Sequence, residues 1–264
     1  MNASTSPCLS GKTAIVTGAS RGIGRCLALH LARLGAQVLL VARNGEQLET
    51  ATAEIIAAGG KAAAMVADLR QPDAPERVVK RAVETFGGVD IVINNAGATK
   101  RGLFLNLTDE DWQDGYALKF FGTVRLTRAA WPQLKQRGGS VVMIAGVGGR
   151  TPGAEFTIGG SVNAALLSLT KALSDQGIQD GVQVNAINPG AVRTDRLTVR
   201  LQNVATRDGI DVAAAEAVLK KEMDVARIGE PEDIAGLVAF IVSEQGRFFQ
   251  GSLIDMDGGQ TKTL

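Results

Sequence analysis

A run of small residues, Thr17-Gly18-Ala19-Ser20-Arg21-Gly22-Ile23-Gly24, follows a short apolar stretch and opens a helical pattern. Glycines at a strand-to-helix turn let the backbone approach a pyrophosphate, which sits at the positive end of the helix. Glycine also serves ordinary tight turns, so the run by itself is a weak signal. Its context of strand, turn and helix favours a phosphate site. The predicted contacts are Gly18, Ser20, Arg21, Gly22, Ile23 and Gly24.

The residues after the second apolar stretch indicate which nucleotide would bind. An Asp or Glu about 20 residues after the glycine turn would hydrogen-bond the ribose 2′-OH of NAD. This chain has Ala42-Arg43 there instead, and Arg21 lies in the glycine turn. Guanidinium groups bind a 2′-phosphate well, so NADP(H) is favoured over NAD(H). The alternative is that both arginines are solvated surface residues.

Other residue types that perform chemistry are scarce. His30 is the only histidine and Tyr116 the only tyrosine, and the two cysteines are Cys8 and Cys26. His30 lies among apolar residues at helix spacing, which is typical of a structural histidine. No Cys/His cluster suits zinc, and no metal site is predicted.

Strand-length apolar runs alternate with longer helical patterns along the chain. Strands are predicted at 13–17, 37–41, 63–66, 89–93, 140–144, 183–187 and 252–255. Helices are predicted at 22–34, 44–58, 73–86, 109–137 and 160–176, and Thr108 or Asp109 would cap the fourth of these. Continuous apolar strands separated by helices indicate a parallel sheet that is buried on both faces.

The alternation therefore predicts an α/β fold: one Rossmann-type, doubly wound, seven-stranded parallel sheet with helices on both faces. No linker or repeat interrupts it, so residues 1–264 are interpreted as a single nucleotide-binding domain. Residues 195–228 are charged and helix-prone, and they follow the sixth strand. They form either a substrate lid or a plain pair of surface helices.

Composition excludes several other classes of protein. The 264 residues carry a net charge of +1, which argues against a nucleic-acid partner, and 45% of them are apolar, which argues against disorder. No apolar run is long enough to span a bilayer, and Met1–Cys8 lacks the features of an export leader. Two cysteines suit a reducing compartment, so a cytoplasmic location and no membrane partner are expected.

Five segments of the chain carry a resemblance to a known family. They are Thr17 to Gly24, Asp68-Leu69, Asn94-Asn95-Ala96-Gly97, Pro189-Gly190 with Thr194, and Arg227 to Asp233 with Asp257-Gly258-Gly259. From about residue 10 to 260 the chain resembles the short-chain dehydrogenase/reductase family. The resemblance implies that Asp68 contacts the adenine amine beside Leu69, and that Asn94, Ala96 and Gly97 line the adenosine ribose. Pro189, Gly190, Val192 and Thr194 would carry the nicotinamide amide.

The catalytic positions of the family are altered in this chain. Members usually have a serine after the fifth strand, a tyrosine with a lysine four residues later, and an asparagine in the preceding long helix. Aligning the flanking residues places Gly146 at the serine position, Gly159 at the tyrosine, Asn163 at the lysine and Lys119 at the asparagine. All four expected residues are missing. The two glycines either leave room for a bulky ligand or mark a collapsed pocket.

Three functions remain open. The first is an NADP(H)-dependent oxidoreductase with an altered proton donor, acting on an unidentified carbonyl or alcohol substrate. The second is a nucleotide-binding pseudoenzyme with a regulatory or partner role, and the third is a non-redox lyase or isomerase on the same fold.

Two further expectations concern Lys119 and assembly. Beside the short Asn163, the Lys119 ammonium either reaches into the pocket, where desolvation lowers its pKa, or extends to solvent along its helix. The resemblance also implies a homo-oligomer, a tetramer or dimer formed through the helices near 109–137 and 160–176. Burial against the sheet would explain their apolar faces equally well.

Overall fold

The computed structural model describes residues 8–262 of the chain. The interpretation of Met1–Cys8 as lacking an export leader therefore falls almost wholly outside the described residues.

Seven parallel strands form one sheet in the order β3-β2-β1-β4-β5-β6-β7. The strands are β1 (Thr13–Thr17), β2 (Gln37–Ala42), β3 (Lys61–Val66), β4 (Ile91–Asn94), β5 (Ser140–Ile144), β6 (Gln183–Pro189) and β7 (Leu253–Met256). The strand order reverses between β1 and β4, and ligands of open parallel sheets bind at such a point, beyond the carboxyl ends of the strands.

Helices cover both faces of the sheet. They are α1 (Gly22–Arg33), α2 (Gly45–Ala57), α3 (Ala74–Phe86), α4 (Asp109–Tyr116), α5 (Gly122–Arg137), α6 (Thr157–Asp180), α7 (Asp195–Asp208), α8 (Val212–Met223) and α9 (Pro231–Val242). Adjacent residues of β1 explain why two layers are needed. Val16 packs on one face with α1, α2 and α9, whereas Ile15 packs on the other with α3, α5 and α6. Side chains that alternate between faces therefore build two apolar cores, and the predicted doubly wound sheet is confirmed.

The predicted continuous helix at 109–137 is wrong at its centre. Thr108 caps α4 through a capping box with Asp111, as the sequence allows, but a π-helical segment at Ala117–Phe121 separates α4 from α5. A π segment adds one residue to the helical turn, and such segments are frequent at functional sites. It carries Lys119.

Helix α6 is longer at both ends than the predicted 160–176. It starts earlier because Gly159 and Gly160 do not delay its first turn. A Cβ on Gly160 would lie 2.6 Å from the Pro152 side chain and 3.0 Å from the Gly148 carbonyl oxygen. The bare backbone therefore allows the first turn of α6 to pack closely against the segment that follows β5. The other predicted boundaries shift by no more than two residues.

Residues 195–228 form the helix pair α7 and α8. The pair has its own apolar cluster, made by Leu197, Leu201, Val204, Ala215, Leu219, Met223 and Ile228. Arg193 fastens its base by bonding to Glu216 on α8 and to Glu230 before α9. The pair packs on itself as two surface helices would, and its role as a lid remains a prediction. Within residues 8–262, no helix is long and apolar enough to cross a membrane.

Candidate active site

The glycine turn joins β1 to α1 at the carboxyl end of the sheet. Gly18 has a φ of +65°, a conformation that a residue with a side chain rarely adopts. A Cβ on Gly24 would lie 2.2 Å from the Gly18 carbonyl oxygen, so only glycine lets the helix approach the turn. The first turn of α1 holds no acidic residue, and Arg21 at its N-cap makes no side-chain cap. Its backbone N–H groups are therefore available to an anion.

Asn95 holds this turn in place, a role that the sequence analysis missed. Its Nδ2 donates to the Thr17 carbonyl oxygen at 2.9 Å, and its backbone N–H donates to the Thr17 hydroxyl at 2.9 Å. Asn94 instead points into the core, where its Nδ2 donates to the Thr127 hydroxyl at 3.0 Å. A pair of adjacent asparagines after a strand was the available signal, because successive strand side chains face opposite ways.

The residues predicted to select the nucleotide lie around the same edge. Arg43 follows β2 and is exposed, directly before Asn44, the cap of α2. Arg21 is exposed as well, with its Nη1 3.6 Å from the Asp195 carboxylate. Asp68 accepts bonds from the backbone and guanidinium of Arg70 at 3.1 and 3.3 Å.

The remaining predicted cofactor residues take different positions. Leu69 is buried. Ser20, in the glycine turn, and Ile23, at the start of α1, are half-buried. Ala96 donates its backbone N–H to the Thr17 hydroxyl at 2.9 Å.

The loop after β6 closes against the glycine turn. Pro189 ends β6, and a Cβ on Gly190 would lie 2.8 Å from Asp257, so the loop passes tightly over the final segment. Val192 pairs with Gly229, and Thr194 forms the N-cap of α7. A Cβ on Gly22 would lie 3.3 Å from the Thr194 methyl group. The two predicted ends of the nucleotide site are thus neighbours in space.

Lys119 points into the molecule, and its side chain does not extend to solvent along its helix. Its Nζ donates to the Asn163 Oδ1 at 2.6 Å and to the Ala145 carbonyl oxygen at 2.7 Å. Gly97 makes room for this path, since a Cβ there would lie 2.7 Å from the Lys119 Cδ. The glycine of the Asn94-Asn95-Ala96-Gly97 segment is thus required by the lysine.

Asn163 extends this contact to neighbouring strands. Its Nδ2 lies 3.4 Å from the Gly146 carbonyl oxygen, and the Gly146 N–H lies 3.4 Å from Asn188 Oδ1. Asn188 donates to Asp255 at 2.7 Å, and Asp255 pairs with Arg150 at 3.2 Å. A chain of polar groups therefore runs from Lys119 across the ends of β5, β6 and β7.

The space beside Gly159 is filled. A Cβ on Gly159 would lie 2.1 Å from the ring of Phe156, and a Cβ on Gly148 would lie 2.6 Å from it. The guanidinium of Arg101 stacks on the same ring, 4.3 Å from its centroid. Next to Gly159, an aromatic ring takes the room that the glycine leaves, which favours a collapsed pocket over room for a bulky ligand at this position.

The surroundings of Lys119 change its proton affinity. Burial, and to a lesser extent the charge of Arg196, lowers the pKa of Lys119 from 10.5 to about 7. His30 and Tyr116 take no part here. His30 stays in α1, where burial lowers its pKa, and the Tyr116 ring lies against Phe120 with their centroids 6.0 Å apart. The described residues contain no group of three or more metal-ligating side chains.

Comparison with known proteins identifies the family. The short chain dehydrogenase family matches residues 12–205. The chain belongs to this family. Oxidoreductase UcpA of Escherichia coli K12 is 34% identical over 257 residues, which cover 96% of this chain and 95% of that protein.

Solved structures of the family show nucleotide complexes. The L-sorbose reductase of Gluconobacter frateurii, complexed with NADPH and L-sorbose, superposes with a TM-score of 0.94 at 31% identity, covering 98% of this chain and all of that one (100%). A short-chain dehydrogenase of Burkholderia cenocepacia in complex with NADP gives a TM-score of 0.85 at 32% identity, covering 96% and 98%. The chain is thus an oxidoreductase-family protein with the fold of nucleotide-binding relatives.

The residues of the contact between Lys119 and Asn163 can be compared with those at the same positions in the family. The resemblance implies an asparagine at position 119 and a lysine at position 163, whereas this chain has lysine at 119 and asparagine at 163. The resemblance thus implies an exchange of the amine and the amide between the two positions, and the two side chains of this chain meet at 2.6 Å.

Proposed function

We propose that the protein is an NADP(H)-dependent oxidoreductase that acts on a carbonyl or alcohol group and uses the Lys119 amine as its proton donor and acceptor. One observation carries the proposal. The Lys119 Nζ is held by Asn163 and Ala145, and the resemblance implies that positions 119 and 163 are catalytic in the family.

The geometry of the amine suits proton transfer. An ammonium has three N–H donors, and Asn163 and Ala145 accept two of them. The third proton is left for a substrate oxygen, and the neutral amine that remains keeps both hydrogen bonds. A pKa of about 7 supports this role, because a general acid works best when its pKa lies near the working pH.

In the proposed reaction NADPH, when bound, supplies a hydride to the carbonyl carbon. Lys119 gives its proton to the carbonyl oxygen, so the products are an alcohol, NADP⁺ and a neutral lysine, which takes up a proton from solvent. In the opposite direction the neutral amine accepts the proton of the alcohol. Lys119 is therefore the proton donor in carbonyl reduction and the proton acceptor in alcohol oxidation.

The residues present fit a dinucleotide. Gly18 and Gly24 let the turn and the start of α1 pack closely, because a Cβ on either would collide with neighbouring protein atoms, and the uncapped N–H groups of the first turn of α1 are available to a phosphate. No carboxylate stands at Ala42 to repel a 2′-phosphate, and Arg21 and Arg43 are exposed at the same edge. These features, and the relatives that bind NADPH or NADP, support NADP(H) over NAD(H).

The test measures NADPH oxidation with a panel of aldehydes and ketones for wild type, Lys119→Met and the control Lys171→Met, which changes an exposed lysine of α6. General acid catalysis contributes ~10²–10⁴-fold to rate, so Lys119→Met should lose at least ~100-fold in kcat. Its affinity for NADP⁺ should change by no more than a few-fold. Full activity of Lys119→Met would refute the role of the amine.

The pseudoenzyme interpretation rests on a different observation. Phe156 fills the space beside Gly159, and Arg101 covers the ring. A chain that only needed to bind nucleotide could accept such a closed site. Tight NADPH binding in calorimetry, with no turnover of any carbonyl in the panel, would favour this second function.

We also propose that the protein forms a homo-oligomer, a dimer or tetramer, through the helices near 109–137 and 160–176. Two exposed apolar side chains on these helices support it: Phe121 is 46% exposed and Ile178 is 69% exposed. Light scattering would give the mass, and a monomer at micromolar concentration would contradict the proposal.

A further inference from the structure

Three arginines gather at the rim of the candidate active site. Arg101 lies in the loop between β4 and α4, and Arg196 and Arg200 lie one turn apart on α7, so they share a helix face. We call these three residues the arginine cluster. Burial lowers the pKa of Arg101, and the charges of Arg200 and Arg196 lower it further, whereas Glu155 opposes them. Arg196 on α7 donates to the carbonyl oxygen of Gly97, four residues before Arg101, so α7 contacts the loop that carries Arg101.

Among residues 8–262, Glu155 is the one carboxylate whose charge acts on Arg101, and it forms no ion pair with the arginine cluster. Within residues 8–262, Arg101 makes no ion pair, and its guanidinium stacks on Phe156. Arg200 contacts the Met223 sulfur at 3.8 Å, a weak acceptor, and Arg196 donates to the Gly97 carbonyl oxygen.

Arginines elsewhere on the same segment behave differently. Arg193 binds the Glu216 and Glu230 carboxylates, and Arg207 binds those of Asp208 and Glu222. The other two arginines of the segment from Gly190 to Asp208 therefore both have carboxylate partners. Holding like charges together without a counter-charge is unfavourable, and an arrangement of this kind attracts an external anion.

The cluster is tied to the catalytic positions by shared neighbours. The ring below Arg101 belongs to Phe156, which takes the room beside Gly159. The carbonyl bound by Arg196 belongs to Gly97, against which the Lys119 side chain packs. A molecule whose charged end lies on Arg101 and Arg200 would therefore extend toward Lys119.

We propose that Arg101 and Arg200 bind an anionic group of the substrate, so that the protein acts on carbonyl compounds bearing a carboxylate or a phosphate. This inference rests on the proposed function and names its substrate class. Guanidinium groups bind both anions through paired N–H donors, and two of them can hold one anion between them. Arg196 interacts with the charge of Arg21 as well as with that of Arg101, and its guanidinium bonds to the Gly97 carbonyl oxygen, so the test uses only Arg101 and Arg200.

Calorimetry with matched ligands tests the subsite at saturating NADP⁺. The probes are 4-acetylbenzoate, 4-acetylphenyl phosphate and neutral 4-acetylbenzamide, which share the aryl ketone and differ in charge. We expect the better anion to bind at least ~10-fold more tightly than the amide, about 1.4 kcal/mol. Whichever anion binds more tightly identifies the carboxylate or the phosphate as the natural group.

Variants then assign the preference to the two arginines. Arg101→Gln and Arg200→Gln should each remove most of it, whereas Arg81→Gln, which changes an exposed arginine of α3, should leave it intact. Arg101→Lys should keep only part of it, because an ammonium lacks the planar fork. Thermal unfolding of each variant confirms that the fold is retained.

Clear outcomes overturn the proposal. Equal affinity for the anions and the amide would refute it, as would a preference that survives in Arg101→Gln/Arg200→Gln, or the absence of saturable binding by either anion. The proposed function fails separately. An anion preference without NADPH oxidation would remove the oxidoreductase function and leave the anion subsite. Oxidation of NADPH by neutral ketones alone would support the oxidoreductase function and refute the anion subsite.

Discussion

Replacing Lys119 by methionine should change how the stability of the protein depends on pH. In the folded chain, burial lowers the pKa of Lys119 from 10.5 to about 7. In the unfolded chain the amine regains the higher value. Between pH 7 and 10.5 the unfolded state therefore binds more protons at this position than the folded state does. Stability consequently rises with pH across that window, and the contribution is flat below it.

The size of the effect follows from the width of the window. Each pH step inside it contributes about 1.36 kcal/mol, and about two of the three steps from pH 6 to pH 9 lie inside it, so wild type should gain roughly 2–3 kcal/mol from Lys119. Lys119→Met has no proton to lose and should lack this gain. The variant also leaves Asn163 Oδ1 and the Ala145 carbonyl without a donor, at a cost of ~1–3 kcal/mol each that does not depend on pH.

Urea denaturation at pH 6, 7.5 and 9 separates the two effects. The offset between wild type and Lys119→Met reports the lost hydrogen bonds, and the change of that offset with pH reports the buried amine. Lys171→Met, whose lysine is exposed, should follow wild type. If the free energies of unfolding of wild type and Lys119→Met change in parallel with pH, the amine keeps the proton affinity of a solvated lysine. The argument for a proton donor would then fail.

Three further predictions concern the cofactor, the reaction and the filled pocket. NADPH should bind at least ~10-fold more tightly than NADH in calorimetry, and Arg43→Asp should reverse the order, whereas equal affinities would contradict the cofactor assignment. The kcat for carbonyl reduction should fall as pH rises through about 7, where Lys119 loses its proton, while alcohol oxidation should rise; a flat profile would exclude the amine. Gly159→Ala should cost ~1–3 kcal/mol in urea denaturation because its Cβ meets Phe156, and the cost should shrink in a Phe156→Ala background.

Strands and the nucleotide turn could be predicted from the sequence because their signals are local. An apolar run such as Val38 to Val41 is recognisable wherever it occurs, and Gly24 is required by the carbonyl oxygen of Gly18 in the same turn. The π-helical turn at Ala117–Phe121 could not be predicted. Its residues suit an ordinary helix, and only the packing of Lys119 against Gly97 and Asn163 distinguishes the altered turn.

Features of the site that depend on distant residues could not be predicted from the sequence either. Phe156 precedes Gly159 by three residues in an irregular segment, and nothing local indicates that its ring turns back over the glycine. Arg101 and Arg200 are separated by about a hundred positions along the chain, and the fold alone brings them together. The resemblance assigned the four catalytic positions to Lys119, Gly146, Gly159 and Asn163 one at a time, and it did not indicate that Lys119 and Asn163 contact each other.

The implied exchange of amine and amide makes a last prediction, in which the pair of residues matters more than either one. In Asn163→Lys two ammonium groups would share a confined space beside Ala145, and in Lys119→Asn two amides would face each other without a charge. Charge-assisted hydrogen bonds contribute ~1.5–3 kcal/mol, and the like-charged pair adds repulsion, so both single variants should be destabilised, Asn163→Lys the more. The double variant Lys119→Asn/Asn163→Lys restores one amine and one amide in contact. Its loss of stability in urea should be smaller than the sum of the single losses by at least ~1 kcal/mol, the range found for residues in direct contact. Additive losses would mean that the two side chains are not coupled, and the amine would then lack the partner that holds it in position to donate a proton.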